Sequence, residues 1–222
     1  MVTFDSLKKD PQIIAYIQAA GDVMKSMNFT EHSFAHVYIT AYTAAEILQG
    51  LSASERDIEL VKIAGLLHDI GNVVNRVNHS ISGAVMAMQL LTDRGMPDSE
   101  VARVVSAIGN HDEGTGEPVS NIAAALIIAD KSDVRRSRVI APADQIASDI
   151  HDRVNYAVDD HKLEILKRDG NTIISMQLSI DTTICAVMDY YEIFLQRMLL
   201  CGRAAEFLGA TFELIINGQK VL

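Results

Sequence analysis

Apolar side chains recur at helical spacing along the first two thirds of the chain. Ile13, Ile17, Ala20, Met24 and Met27 form one stripe, the period of a helix that buries one face. Asp10 before Pro11 supplies an N-cap and a first-turn residue with no N–H to satisfy, which predicts a helix over 11–27. Thr30 can cap a second, through Val37, Ala41, Ala44 and Leu48 to a stop at Gly50. Ser52 and Glu55 have capping-box spacing and open a third that ends near Gly71. A fourth runs from about Ser80 to Arg94, before Gly95. Asp98, after Pro97, starts a fifth with Val101, Val104, Val105 and Ile108 on one face, so EGTGEP at 113–118 is a loop. A sixth begins near Asn121 and carries Ile122, Ala125, Leu126 and Ala129. Another helical stretch follows Pro142, marked by Ile146, Ile150 and Val154.

After residue 160 the rhythm changes. KLEIL, the turn signal Arg168-Asp169-Gly170-Asn171 and IISMQLSI read as a β-hairpin, with Ile174, Met176, Leu178 and Ile180 alternating along its second arm. A long helix over roughly 182–208 and a third strand at FELII complete the chain. The expected fold is mainly α: a helical domain at 1–160, then a small α+β element of about three strands and one long helix at 161–222.

Composition narrows the class. The 222 residues allow one sizeable core, and 49% apolar with 22% charged residues is ordinary for a soluble globular protein. The absence of Trp and the few aromatics favour helix packing. MVTFDSLKKDPQ lacks the apolar stretch of a secretory leader, and no apolar run approaches the ~20 residues needed to span a bilayer. Cys185 and Cys201 fall in one expected helical segment, too far apart to pair within it. Free thiols point to a reducing, cytoplasmic setting. A net charge of −10 argues against attraction to extended nucleic acid or an acidic membrane, while leaving a small anionic substrate open. Self-association into a homo-oligomer is also left open.

The candidate chemistry lies at helix ends. In GLLHDIGN, His68 and Asp69 follow the oily run Ile63, Ala64, Leu66 and Leu67, where an unpaired polar group is costly. His36, His79, His111 and Asp130 fall on or beside other helices of the same region. Imidazole and carboxylate suit a first-row divalent metal, and the lack of cysteine here argues against a thiolate site. Each residue also has an ordinary reading. His79 can be a solvated helix start, His111 a helix-end cation and Asp130 a partner for Lys131 or Arg135. Their joint occurrence in this order is harder to explain that way.

The order resembles the HD-domain superfamily of metal-dependent phosphohydrolases. That pattern is a His on an early helix, then His-Asp, then a late Asp, on a helical core. EHSFAHV, GLLHDIGN, NHSISGA, IGNH and ADKSDVRRSR carry the resemblance over residues about 30–139. It implies His36, His68, Asp69 and Asp130 as metal ligands. His79 and His111 occupy the places of two further histidines in members that hold two ions, and manganese, iron, nickel, cobalt and magnesium are all candidates. His32 is four residues before His36 on the same helical face. His36 better fits the family's helix register, which leaves His32 facing substrate or supporting the ligands; the alternative is a swap of these two roles.

A metal-activated water attacking phosphorus would account for such a site, with Asp69 orienting it. Lys131, Arg135 and Arg138, spaced i, i+4 and i+7, would form one side of a continuing helix and bind phosphate. The EGTGEP loop would act as a lid. The resemblance implies a phosphohydrolase but does not choose a substrate, since relatives cleave nucleotides, dinucleoside polyphosphates, cyclic dinucleotides and other phosphoesters; the expectation here is a phosphate ester of a small molecule, a nucleotide first. Two other readings stand beside it: a di-iron HD-type oxygenase, and a non-catalytic metal-stabilised sensor or interaction module. His151-Asp152, a second His-Asp dipeptide without the apolar lead-in, reads as solvated or interdomain.

Overall fold

The computed structural model describes residues 1–142, 146 and 149–222. It opens with a short helix that the apolar pattern does not predict, α1 (Phe4–Leu7), closed by a reciprocal capping box between Thr3 and Ser6. α2 (Pro11–Ser26) starts as expected, with the Asp10 carboxylate accepting from the Gln12 and Ile13 N–H groups.

Two other starts differ. α3 (Phe34–Gly50) begins after Ser33 rather than at Thr30, because Glu31 Oε1 takes both the N–H and the hydroxyl of Ser33. α4 (Glu55–Leu67) is capped by Ser54, whose hydroxyl accepts from Asp57 N–H. Ser52 instead sits in the left-handed region at φ 58°, where it turns the chain between helices. α4 stops at Leu67 with His68 at its C-cap, and a 3-10 turn over Ile70–Val73 replaces the rest of the expected helix.

α5 (His79–Asp93) and α6 (Asp98–Gly109) match the expected helices within a residue or two, and α7 (Asn121–Ser132) starts where expected. α7 does not continue. Asp133 leaves the helical region, Arg135 is extended, and only a 3-10 turn follows at Arg136–Arg138. Lys131, Arg135 and Arg138 therefore share no helical face. The helical stretch expected after Pro142 begins on residues 143–145 and 147–148, which lie outside the described residues; its described part is α8 (Ile150–Ala157).

The C-terminal part is a four-stranded sheet, β1 (Val158–Arg168), β2 (Asn171–Ile180), β3 (Ala210–Ile216) and β4 (Gln219–Lys220), in that order. β1 and β2 pair through Asp169 and Gly170, both at positive φ, which matches the twist of a two-residue hairpin. Asn217 and Gly218 repeat the device before β4, a strand too short to show in the apolar alternation. β2 and β3 run parallel, joined by the crossover helix α9 (Val187–Phe207). Cys185 thus precedes α9 rather than lying on it; both cysteines are free and buried. No helix among the described residues is long and apolar enough to cross a membrane.

α7 is the hub. Every residue from Ile122 to Ala129 is buried, and α3, α4, α6 and α9 all pack against it. Each of its fully buried Leu or Ile side chains contributes roughly 1.5–3 kcal/mol. One apolar cluster extends from Val2 to Ile216, including Ile174, Met176 and Leu214 of the sheet.

Two glycines set close approaches that matter for the site. A Cβ on Gly65 would stand 2.6 Å from Ala41 Cα, so α3 and α4 touch backbone to backbone one turn from His36 and His68. A Cβ on Gly71 would collide with the carbonyl of His79 and the N–H of Gly83, so the turn after Asp69 lies directly on the start of α5. Gly65→Ala is expected to lower stability by about 1–3 kcal/mol in urea unfolding, since α3 and α4 must part. An unchanged midpoint would show that the two helices have room to spare.

Candidate metal centre

Six side chains from five helices meet at one point. His36 comes from the first turn of α3, and His68 and Asp69 from the end of α4. His79 is the first residue of α5, His111 follows the end of α6, and Asp130 lies in the last turn of α7. The four imidazoles and Asp69 are buried, and the Asp130 side chain is 11% exposed. All six residues expected to bind metal are therefore brought together.

Ring orientation is set at Nδ1. His68 donates to the carbonyl of Gly65 at 2.8 Å, His111 to Ile108 at 2.6 Å and His79 to Arg76 at 3.1 Å. His36 donates to Asp133 Oδ2 at 2.7 Å. Each of these oxygens can only accept, so each Nδ1 carries a proton and each ring turns its Nε2 inward. The Nε2 atoms of His36 and His68 then face each other at 3.2 Å, and those of His79 and His111 do the same at 3.2 Å.

Carboxylates fill the remaining directions. Asp130 Oδ1 is 3.2 Å from His36 Nε2 and 3.7 Å from His68 Nε2. Asp69 turns Oδ2 toward His36 and His68, at 3.6 and 3.5 Å, and Oδ1 toward His79 at 3.5 Å. Oδ1 also accepts from Asn72 Nδ2 at 2.9 Å. Oδ2 is buried with no hydrogen-bond partner. Facing lone pairs and an orphaned carboxylate oxygen repel one another unless positive charge lies among them. A hydrogen-bonding proton can serve one facing pair at a time, whereas a cation serves every donor around it. The set fits a divalent metal: His36, His68 and Asp130 form one group able to hold an ion, and His68, Asp69 and His111 another.

Charge in the site follows its surroundings. Burial works against the ionised carboxyl of Asp69, but His68, His32 and His36 hold it well below the usual carboxylate range. Burial likewise opposes ionisation of Asp130, which Lys131, His36 and His68 lower. Burial, with the charges of His68 and Lys131, pushes His111 down to about 3, so this imidazole is neutral and ready to donate its lone pair.

The residues expected to contact substrate divide. Lys131 is buried between two carboxylates, with Nζ 2.7 Å from Asp130 Oδ2 and 2.7 Å from Glu113 Oε2. Arg135 is taken up by Asp133 Oδ1 at 2.8 Å and Glu31 Oε2 at 3.2 Å. Arg138 spends Nε and Nη2 on the Glu31 carbonyl and Nη1 on that of Asp133. The expected phosphate-binding helical face is absent because α7 ends before it. Arg135 and Arg138 instead brace Asp133, which orients His36. His32 donates Nδ1–H to Thr30 O at 2.6 Å, with its ring centroid 5.4 Å from that of His36.

Two arginines that sequence reasoning passes over reach the centre. Arg76 and Arg197 line a cavity of about 20 Å³ together with Asp69, His79, Asp130 and Lys131. Arg76 lies over the Phe29 ring and Arg197 over Phe194, at 5.8 and 5.0 Å. Arg197 Nε donates to Glu113 at 2.9 Å. Arg76, three residues before His79, was findable beside a candidate ligand; Arg197 on α9 carries no local signal.

The chain belongs to the HD domain family, whose match covers residues 33–149, just over half of its length. It is similar to a solved structure described as a predicted HD superfamily hydrolase from an uncultured Thermotogales bacterium. The two are 26% identical with a TM-score of 0.44, over 59% of this chain and 73% of that one. None of the curated proteins matches. Family membership and the His/Asp cluster together support a metal-dependent hydrolase.

Asp133→Asn keeps an acceptor for His36 but removes the charge that polarises it. It is expected to weaken Mn²⁺ binding about 10–100-fold by calorimetry, with an unaltered circular dichroism spectrum. Equal affinity would mean that Asp133 serves packing alone.

Proposed function

We propose that the chain is a phosphohydrolase with a binuclear centre, acting on a phosphate ester of a small molecule, a nucleotide first. The observation that carries this reading is the arrangement around Asp69. One oxygen faces the His36–His68 pair, the other faces His79, and the first has no hydrogen-bond partner. His36, His68 and Asp130 would hold one divalent ion, His79 and His111 the other, and Asp69 both. Such ions supply a water nucleophile usable near neutral pH and offset charge that gathers on phosphoryl oxygens.

The protein's own groups do the positioning. Arg76 and Arg197 flank the ligands, and Nη1 and Nη2 of Arg197 have no protein hydrogen bond among the described residues. Those N–H groups suit phosphoryl oxygens, and the rings beneath the guanidinium planes hold them in place. Lys131 stays charged, because Asp130 and Glu113 outweigh the effect of burial, and it fixes Asp130 against the histidines. His32, with Nδ1 committed and its pKa driven well below the usual range by burial and Arg138, faces the cavity as an acceptor.

The decisive experiment measures metal in protein purified without added chelator. It then compares wild type with Asp69→Ala on phosphomonoesters and phosphodiesters. The variant is expected to lose both bound metal and turnover; undiminished turnover would refute the reading. Iron with a mixed-valent signal and no phosphate release would replace it with oxygenase chemistry. His79→Ala is expected to remove one ion of two, and retention of both would show that His79 is not a ligand.

A further inference from the structure

The second His-Asp dipeptide, His151-Asp152, lies beyond the family match, in the first turn of α8. Asp152 is 6% exposed. Its backbone N–H bonds Asp149 Oδ1 at 3.2 Å, but no hydrogen bond or ion pair reaches its carboxylate among the described residues. Burial and the Asp149 charge raise its pKa. Its oxygens are not sealed from solvent, so the carboxylate keeps free acceptors, and such a group on a cavity wall needs an explanation.

The cavity it lines supplies one. Asp152 and Asn155 face a space of about 320 Å³. Asn155 spends its amide N–H on the His151 carbonyl at 2.8 Å, which leaves its side-chain oxygen as an acceptor. The same space is lined by His32, Arg76, Arg138 and Arg197, all four of which also line the small cavity holding Asp69 and His79. Asp152 and Asn155 do not reach that small cavity. The larger one is therefore polarised, cationic beside the candidate metal centre and acceptor-rich away from it. Its volume sits at the lower end of small-molecule sites, roughly 300–1,000 Å³, the scale of a single phosphorylated sugar or nucleoside.

We propose that this cavity seats the non-phosphate end of the substrate, and that Asp152, aided by Asn155, selects phosphorylated compounds carrying a hydroxyl or ammonium hydrogen-bond donor there. The inference rests on the phosphohydrolase reading. It assigns selectivity to a segment outside the family match, and it gives Asp152 the donors that the protein withholds.

The test compares wild type, Asp152→Asn and Asp152→Ala on three probes. These are p-nitrophenyl phosphate, which has no donor at its far end, nucleoside 5′-monophosphates for hydroxyls, and aminoalkyl phosphates for ammonium. Both variants are expected to lower the kcat/KM ratio of donor-bearing to donor-free substrate at least tenfold, mainly through KM. A fall confined to one donor class identifies which is read. Thermal midpoints are expected to hold or rise, because a carboxylate at the start of α8 that served only the helix would be missed. A ratio within twofold of wild type in both donor classes overturns the proposal. If the wild type cleaves none of the probes, the phosphohydrolase reading fails separately. Calorimetric titration of the same compounds then decides: tenfold weaker binding to Asp152→Asn upholds the donor site, and equal binding or none rejects it.

Discussion

Four buried imidazoles have already committed their Nδ1–H groups to carbonyl or carboxylate oxygens, and the rest of the site follows from that. The acceptors for His68 and His111 are the carbonyls of Gly65 and Ile108, three residues earlier at the ends of α4 and α6. Carbonyls in the last turn of a helix have no intrahelical partner. Stopping α4 and α6 where they stop thus creates the acceptors that orient the two rings. His36 sits at the start of α3, where spare groups are donors rather than acceptors, so it needs a carboxylate from elsewhere, and Asp133 provides it. Helix ends converge here because their unused backbone polarity aims the imidazoles.

Around this set runs a chain of alternating charge. Arg197 on α9 meets Glu113, Glu113 meets Lys131, and Lys131 meets Asp130. Partly buried ion pairs of this kind add little net stability, because desolvation offsets their attraction, but the most buried members lose much if a neighbour is removed. The arrangement ties α9 electrostatically to the His/Asp cluster while α9 packs on α7. Glu113 begins the EGTGEP segment expected to act as a lid, yet its carboxylate is engaged from both sides, which anchors that end of the loop to the centre.

Much of this was legible from residue types and spacing. The helices were readable because one face of each is apolar at a period near 3.6, and Asp10 and Asp98 marked starts correctly. The metal-binding candidates were readable because imidazoles and carboxylates beside apolar runs are costly without a partner. What failed was decided by distant partners. Thr30 and Ser52 looked like caps, but Glu31 and a left-handed turn at Ser52 moved the starts of α3 and α4. KSDVRRSR had the spacing of a helical face. Asp133 departs from helical geometry while its side chain is held by His36, 97 residues away. Arg197 comes to the site across the β2–α9–β3 crossover, which no local pattern encodes.

The chain is acidic, with a net charge of −10, yet Arg76, Arg138, Arg197 and Lys131 gather beside the candidate centre. Net charge governs attraction at long range, whereas within a few ångströms the local groups dominate, since beyond about 8–10 Å solvent ions screen the rest. A long polyanion would meet the acidic surface along most of its length; a small one meets only the pocket. The same division applies along the sequence. The segment matched to the family carries the His/Asp cluster, and the part beyond residue 149 carries Asp152, Asn155, Phe194 and Arg197, which wall the space beside it. Ligands must keep one geometry to hold an ion, but a wall can change shape and charge without disturbing them. Part of that wall comes from α8 and α9, where the family match has already ended.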